Sequence, residues 1–169
     1  MEINEKYIVL KEGKMLTCKE KETILCILRE NFNKFNFIDQ AISGKIVNSL
    51  QIKWDKYYFL IYLLNDKIIA FLASKFKCKF LKIDKFFCSI HYQNHNIGTL
   101  LLEKLIDLYS YRYKIYLQVN KKNKAVKFYI KRGFYIRKSI KKRINKYTFD
   151  DYIMCYEDIR IWRNKNAKA

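Results

Sequence analysis

The 169-residue sequence predicts one α+β domain with a single mixed, largely antiparallel β-sheet. Half of the residues are hydrophobic, which is enough to form one core in a chain of this length. Segments with the two-residue period of strands alternate with segments of helical period. We expect six to seven strands, about four helices, a domain over residues 1–162 and a flexible tail over residues 163–169.

The first fifty residues predict one strand and two helices. Residues 3–12 have the pattern of a strand, and Thr17 and Glu20 form a capping box ahead of an amphipathic helix. The apolar face of that helix comprises Ile24, Leu25, Leu28 and Phe32. Asp39 is a second N-cap candidate, and the apolar face after it comprises Ile42, Ile46, Val47 and Leu50.

From residue 57 onward the period changes to that of strands. Residues 57–64 and 67–77 predict a β-hairpin, because Asn65 and Asp66 between them accept positive φ. A strand over residues 80–90, a helix over 99–111 and a strand over 114–120 then form a crossover unit, which makes the two strands parallel.

The last third of the chain predicts a short helix and two strands. The helix follows Asn123 and is closed by Gly133, and the two strands flank a loop near residues 145–151.

The composition of the chain limits which kinds of function it can have. The net charge of +19 would attract an anionic cofactor, but the lysines are spread along the whole chain, which favours a solvated surface over a nucleic-acid site. Five scattered cysteines and two histidines favour neither a disulfide framework nor a metal site. Without a long apolar segment and with a charged N-terminus, we expect a cytoplasmic protein that does not bind membranes.

A polar turn over residues 93–98 leads directly into a strongly apolar helix. Because a predicted strand precedes the turn, its backbone N–H groups and the helix N-terminus would face the same point, as in phosphate sites. Gly98 allows close approach of a ligand, and Asn94 and Asn96 tolerate positive φ. An ordinary turn is the alternative interpretation.

Two motifs resemble the GNAT superfamily of acetyl-CoA-dependent N-acetyltransferases. They are Gln93-x-x-Asn96-x-Gly98 and Asn123-x-Ala125-x-x-Phe128-Tyr129-x-x-x-Gly133-Phe134. The resemblance is most specific over residues 80–136, and it implies the GNAT fold, with the parallel strand pair at the site of acetyl-CoA and without a metal. Asn96 stands where the family has glycine, so its side chain would have to point away from the phosphates.

The resemblance also implies which residues bind the cofactor. The backbone of Phe86, Phe87 and Cys88 would pair with the pantetheine arm, which resembles a short peptide strand. The pyrophosphate would be bound by Gln93, Asn94, His95, Asn96, Ile97, Gly98 and Thr99. Asn123, Phe128 and Tyr129 would complete the site, although Asn123 is equally an ordinary helix N-cap.

By the same resemblance, Tyr129 protonates the departing thiolate, a task that suits a phenol with an ordinary pKa of about 10. Its helical spacing is equally that of a core aromatic residue. Relatives carry Glu, His or Tyr at the places of Lys82 and Gln118, neither of which is a suitable base. Asp84 is the nearest substitute, and an ordinary surface carboxylate or a reaction without a dedicated base are the alternatives.

The acceptor is predicted to be a primary amine, most simply a protein N-terminus. The C-terminal segment resembles that of protein Nα-acetyltransferases, including the ribosomal-protein type, so a ribosome or an auxiliary subunit is a candidate partner. Similarity to glucosamine 6-phosphate N-acetyltransferase supports a small amine as the alternative. A non-catalytic acyl-CoA-binding or nucleic-acid-binding module is the alternative from another class.

Overall fold

Seven strands form one mixed sheet with the order β1-β2-β3-β4-β5-β7-β6. The computed structural model describes residues 5–34, 53–144 and 147–158. Within these residues the strands are β1 Lys6–Glu12, β2 Tyr58–Leu64, β3 Lys67–Lys77, β4 Phe80–Cys88, β5 Lys114–Asn120, β6 Tyr135–Ile144 and β7 Tyr147–Tyr156. The helices are α1 Cys18–Lys34, α2 Ile97–Tyr109 and α3 Ala125–Lys131.

The predicted α+β fold class and the parallel pair are confirmed. Strands β4 and β5 run parallel, with Phe80 paired to Lys114 and Ile83 paired to Leu117, while β1–β2, β2–β3, β5–β7 and β6–β7 are antiparallel. The second predicted helix, which begins after Asp39, and the predicted tail lie outside the described residues. In the described part of the chain, no helix is long and apolar enough to cross a membrane.

The chain divides into two compact units. Unit 1 comprises residues 1–75 and 85–104, and unit 2 comprises residues 76–84 and 105–169. The prediction of one domain over residues 1–162 stays a prediction.

The predicted capping box and the predicted hairpin turn of unit 1 are both present. Thr17 and Glu20 exchange two hydrogen bonds, because the Glu20 N–H donates to Thr17 Oγ1 at 3.2 Å and the Thr17 N–H donates to Glu20 Oε2 at 2.9 Å. In the β2–β3 turn, Asn65 and Asp66 have φ values of 47° and 60°. The core of unit 1 is formed by one face of α1 and by the inward residues of β2 and β3.

The sheet of unit 2 has two unlike faces. Buried apolar residues occupy one face, namely Leu81, Ile83, Ile115, Leu117, Val119 and Met154. The register places Tyr116, Gln118 and Asn120 of β5 on the other face, opposite Cys155, Ile153 and Asp151 of β7. The second face, called the polar sheet face below, therefore carries Gln118, Asn120 and Asp151 beside three less polar residues.

The prediction of a loop near residues 145–151 is wrong, because residues 147–151 belong to a strand. Strand β7 already begins at Tyr147, and Thr148 pairs with Arg143 of β6. The Asn and Asp residues suggested a loop, but Tyr, Thr and Phe between them have high β-propensity and continue the ladder. The hairpin is therefore longer than predicted.

Candidate active site

In unit 1, strand β4 leads through one turn of 3-10 helix, Ile90–Tyr92, to the polar turn and α2. Asn94 and Asn96 have φ values of 68° and 63°, as their residue types predict. The Leu100 N–H donates to the Asn96 carbonyl at 3.2 Å, so the helix begins immediately after Asn96. The first N–H groups of a helix have no intrahelical acceptor and carry partial positive charge, which suits an anion.

The side chains around this helix start are neutral or basic. No acidic residue lies in the first turn of α2. Asn94, His95 and Asn96 are exposed, whereas Ile97 and Thr99 are buried and fix the first turn of the helix. His95 Nδ1 lies 3.0 Å from the Gln93 carbonyl, so His95 is a turn residue, as its position suggests. An approaching phosphate would meet no carboxylate on this turn.

A buried amide, which sequence reasoning missed, connects α1 to the polar turn. Asn31 is 4% exposed, and its Nδ2 donates to the Cys88 carbonyl at 2.9 Å and to the Ile27 carbonyl at 2.8 Å. Its Oδ1 accepts a hydrogen bond from Gln93 Nε2 at 2.9 Å. The Asn31 network, meaning Asn31, Gln93 and the Cys88 carbonyl, therefore holds the end of β4 and the start of the turn together.

The three β4 residues predicted to meet the cofactor are half-buried. The Phe87 ring packs against Phe32 and Phe71, with centroids 5.5 and 6.1 Å apart. Cys88 donates its thiol to the Tyr92 carbonyl at 3.4 Å, and burial raises the pKa of this thiol to about 11. A thiol with so high a pKa is a poor nucleophile near neutral pH, which disfavours an acyl-enzyme at Cys88.

In unit 2, Tyr129 lies on α3 with 7% of its surface exposed. Its ring contacts the rings of Phe128 and Phe134, at 5.3 and 5.6 Å. No other group in the described part of the chain hydrogen-bonds its hydroxyl. Burial raises the pKa of Tyr129 well above its ordinary value of 10.0, so the phenol is a proton donor at neutral pH.

The end of α3 explains why Phe134 reaches Tyr129. Gly133 has a φ of 85°, a left-handed conformation that L side chains rarely adopt. The Phe134 N–H then donates to the Tyr129 carbonyl at 3.1 Å, which folds the chain back on the helix. The family motif around Gly133 thus has a local structural role.

Asn123 caps α3. Its Oδ1 accepts a hydrogen bond from the Ala125 N–H at 2.8 Å, and its carbonyl accepts one from the Val126 N–H at 3.1 Å. The Asn123 side chain therefore makes the hydrogen bond that is typical of an N-cap, and the predicted cofactor contact stays a proposal.

Two carboxylates lie on strands of unit 2. Asp84 forms an ion pair with Lys82 at 2.7 Å, as expected for residues on the same face of a strand. Asp151, which sequence reasoning missed, is 8% exposed and accepts hydrogen bonds from Gln118 Nε2 at 2.8 Å and Asn120 Nδ2 at 3.1 Å. In the ranges that the structure describes, no group of three or more metal-ligating side chains comes together.

Comparison with known proteins decides the family. A family model described as an acetyltransferase (GNAT) domain matches residues 18–146. The chain belongs to the GNAT acetyltransferase family. A search of curated proteins gave no match.

Solved structures share the fold at low identity. The match to PaiA N-acetyltransferase from Thermoplasma acidophilum in complex with coenzyme A has a TM-score of 0.70 and 16% identity, covering 90% of this chain and 99% of that chain. The ribosomal-protein-S18-alanine N-acetyltransferase from Escherichia coli gives 0.67 and 19%, covering 89% and 93%. A GNAT-family acetyltransferase from Streptococcus pneumoniae gives 0.61 and 21%, covering 89% and 98%.

Family membership confirms the expected reaction class. This GNAT enzyme is an N-acetyltransferase, and acetyl-CoA is its co-substrate.

Proposed function

We propose that this GNAT acetyltransferase transfers the acetyl group directly to the N-terminal amine of a protein, with Tyr129 as the acid. The observation that carries the proposal is the position of Tyr129, whose side chain is packed between the rings of Phe128 and Phe134 and whose hydroxyl makes no hydrogen bond to the described residues. The amine nitrogen attacks the thioester carbonyl carbon, and the C–S bond then breaks with its electrons passing to sulfur. Tyr129 gives its proton to that thiolate.

The raised pKa of Tyr129 is compatible with this role. Burial disfavours the phenolate, and the same apolar surroundings disfavour a thiolate formed beside it. The same burial therefore shifts the pKa values of donor and acceptor in the same direction.

For the cofactor we propose main-chain recognition. The N–H groups of residues 93–99 and the positive end of α2 would bind the pyrophosphate, and the backbone of residues 86–88 would pair with the pantetheine arm. The exposed positions of Asn94 and Asn96, the positive φ values there and the absence of acidic residues in the first turn of α2 support this. Asn123 and Phe128 remain proposed contacts.

For the proton of the incoming ammonium we propose Asp84 as the acceptor, with its carboxylate positioned by Lys82. Protein N-termini have pKa values of about 8, so part of the substrate is neutral before it binds. The long β6–β7 hairpin supports a peptide acceptor, since this segment resembles the C-terminal hairpin of protein Nα-acetyltransferases. A cytoplasmic location and a ribosomal or auxiliary-subunit partner are further parts of the proposal.

The rate of thiol release from acetyl-CoA tests whether Tyr129 is the general acid. Tyr129→Phe is expected to lower kcat by about a hundredfold, while the Kd for acetyl-CoA measured by calorimetry stays within about twofold of wild type. Tyr135→Phe is the matched control, because Tyr135 is exposed and donates its hydroxyl to Glu157 at 3.0 Å. Unchanged turnover in Tyr129→Phe would show that the assignment is wrong.

The acceptor is tested with the wild-type enzyme. A peptide with a free N-terminus should release thiol, and the same peptide acetylated at its N-terminus should not. Faster turnover with glucosamine 6-phosphate would assign the enzyme to small amines instead. Binding of acetyl-CoA without turnover of any amine would identify a non-catalytic module.

A further inference from the structure

Asp151 carries a buried charge for which the described residues supply no cation. Its neighbour Asp150 pairs with Lys121 at 2.6 Å, whereas Asp151 accepts hydrogen bonds from two neutral amides, Gln118 and Asn120. Removing a carboxylate from water is costly, and neutral donors offset less of that cost than a cation would. Stability alone therefore does not explain this carboxylate.

The bonds that Asp151 accepts fix the orientation of both amides. Asn120 is held at both ends, since its Oδ1 also accepts the Lys122 N–H at 3.0 Å. Gln118 is held only at Nε2 in the described part of the chain, and its side chain is otherwise exposed. Because the amide nitrogen faces Asp151, the Gln118 carbonyl oxygen must face away from it.

The outward oxygen lies on the polar sheet face of unit 2. Gln118 and Asp151 project from this face, since the register pairs Gln118 with Ile153 and Asn120 with Asp151. A carbonyl oxygen next to a buried negative charge attracts a cationic N–H donor and disfavours a phosphate. This matches the ammonium group of an amine acceptor.

We propose that Asp151 is a positioning residue that orients Gln118, and that the Gln118 carbonyl oxygen accepts a hydrogen bond from the amino group of the acceptor. The proposal rests on the proposed function, because it assigns a recognition element to the amine of the same reaction. Asp151 acts through Gln118 and does not itself contact the substrate.

A double-mutant cycle tests the coupling, using the free-N-terminus peptide as acceptor at saturating acetyl-CoA. Asp151→Asn and Gln118→Ala should each raise the peptide KM about tenfold, with kcat and the acetyl-CoA Kd within about twofold of wild type. The double variant should be no worse than Gln118→Ala alone, because both changes remove the same contact. Asp150→Asn, which alters the adjacent carboxylate, should leave the peptide KM unchanged.

Two kinetic results would overturn the proposal. One is an Asp151→Asn effect that persists in full in the Gln118→Ala background. The other is a loss of kcat, of acetyl-CoA affinity and of Tm together, which would indicate a purely structural role.

A binding measurement keeps the proposal testable if wild-type enzyme acetylates no amine, a result that would refute the proposed function by itself. In ¹⁵N-labelled protein, the Gln118 side-chain amide resonances should shift when the free-N-terminus peptide is added. They should not shift with the acetylated peptide or in Asp151→Asn. No shift in the wild type would overturn the inference.

Discussion

Each unit contains a buried polar side chain that holds two segments together, but only one of the two side chains carries charge. In the Asn31 network of unit 1, an amide serves donors and acceptors that are all neutral. The corresponding Asp151 network in unit 2 comprises Asp151, Gln118 and Asn120, and it places a carboxylate between two amides. A neutral network satisfied on every side stabilises a segment, whereas a buried charge without a cation is retained at a cost.

The largest effect on stability is expected from breaking the neutral network. Asn31→Ala leaves the Gln93 amide and the Cys88 carbonyl without this partner, which should lower the free energy of unfolding by about 2–3 kcal/mol. Urea denaturation measures this, with Thr23→Ala as the control, since Thr23 makes an exposed hydrogen bond to the Lys19 carbonyl on the same helix. Equal stability of the two variants would mean that the network does not hold the turn.

A smaller effect on stability is expected from neutralising the charged network. Asp151→Asn loses charge-assisted hydrogen bonds, but it also removes the cost of a buried charge that no cation among the described residues offsets, so the net change should stay below about 1 kcal/mol. The same denaturation series decides this. A loss as large as that of Asn31→Ala would remove the distinction between the two networks.

Alkaline pH should lower the stability of the protein, because burial raises the pKa values of Cys88 in unit 1 and Tyr129 in unit 2. Burial raises the pKa of Cys88 from 9.0 to about 11, so its contribution to stability is complete below pH 9.0 and is lost as the pH rises towards 11. Tyr129 acts in the same direction above its ordinary pKa of 10.0. Between pH 9.0 and about 11, the Tm should therefore fall less steeply with pH for Cys88→Ala than for wild type. Identical slopes of Tm against pH would contradict the raised pKa of Cys88.

The smallest expected effect is a difference in alkylation rate between the half-buried cysteine and the exposed cysteines. Cys18, Cys26 and Cys78 are exposed, whereas Cys88 is half-buried with a raised pKa. At about pH 8, iodoacetamide should alkylate Cys88 at least about tenfold more slowly than these three, as measured by peptide mass spectrometry. Labelling of Cys88 as fast as that of the exposed cysteines would contradict the raised pKa of its thiol.

Local signals made much of the fold predictable. The capping box at Thr17 and Glu20, the Asn65–Asp66 turn and strand β5 are present as the sequence predicts, because each depends on residues close in the chain. The prediction of a loop near residues 145–151 is wrong, because the β-propensity of Tyr147, Thr148 and Phe149 outweighs the turn preference of the polar residues beside them.

The two buried networks could not be predicted in the same way. Asn31 and Gln93 are 62 residues apart in the chain, and Gln118 and Asp151 are 33 apart. An Asn in an amphipathic helix and an Asp beside another Asp near a predicted loop both look like surface residues. Their hydrogen-bond partners are set by the tertiary fold, whereas Tyr129 stood out through a family motif.

A crystal structure with coenzyme A bound tests the account most directly. We predict that the diphosphate oxygens lie within about 3 Å of main-chain nitrogens in residues 93–99, at the start of α2. A diphosphate bound elsewhere, or no binding of coenzyme A at millimolar concentration, would contradict the account.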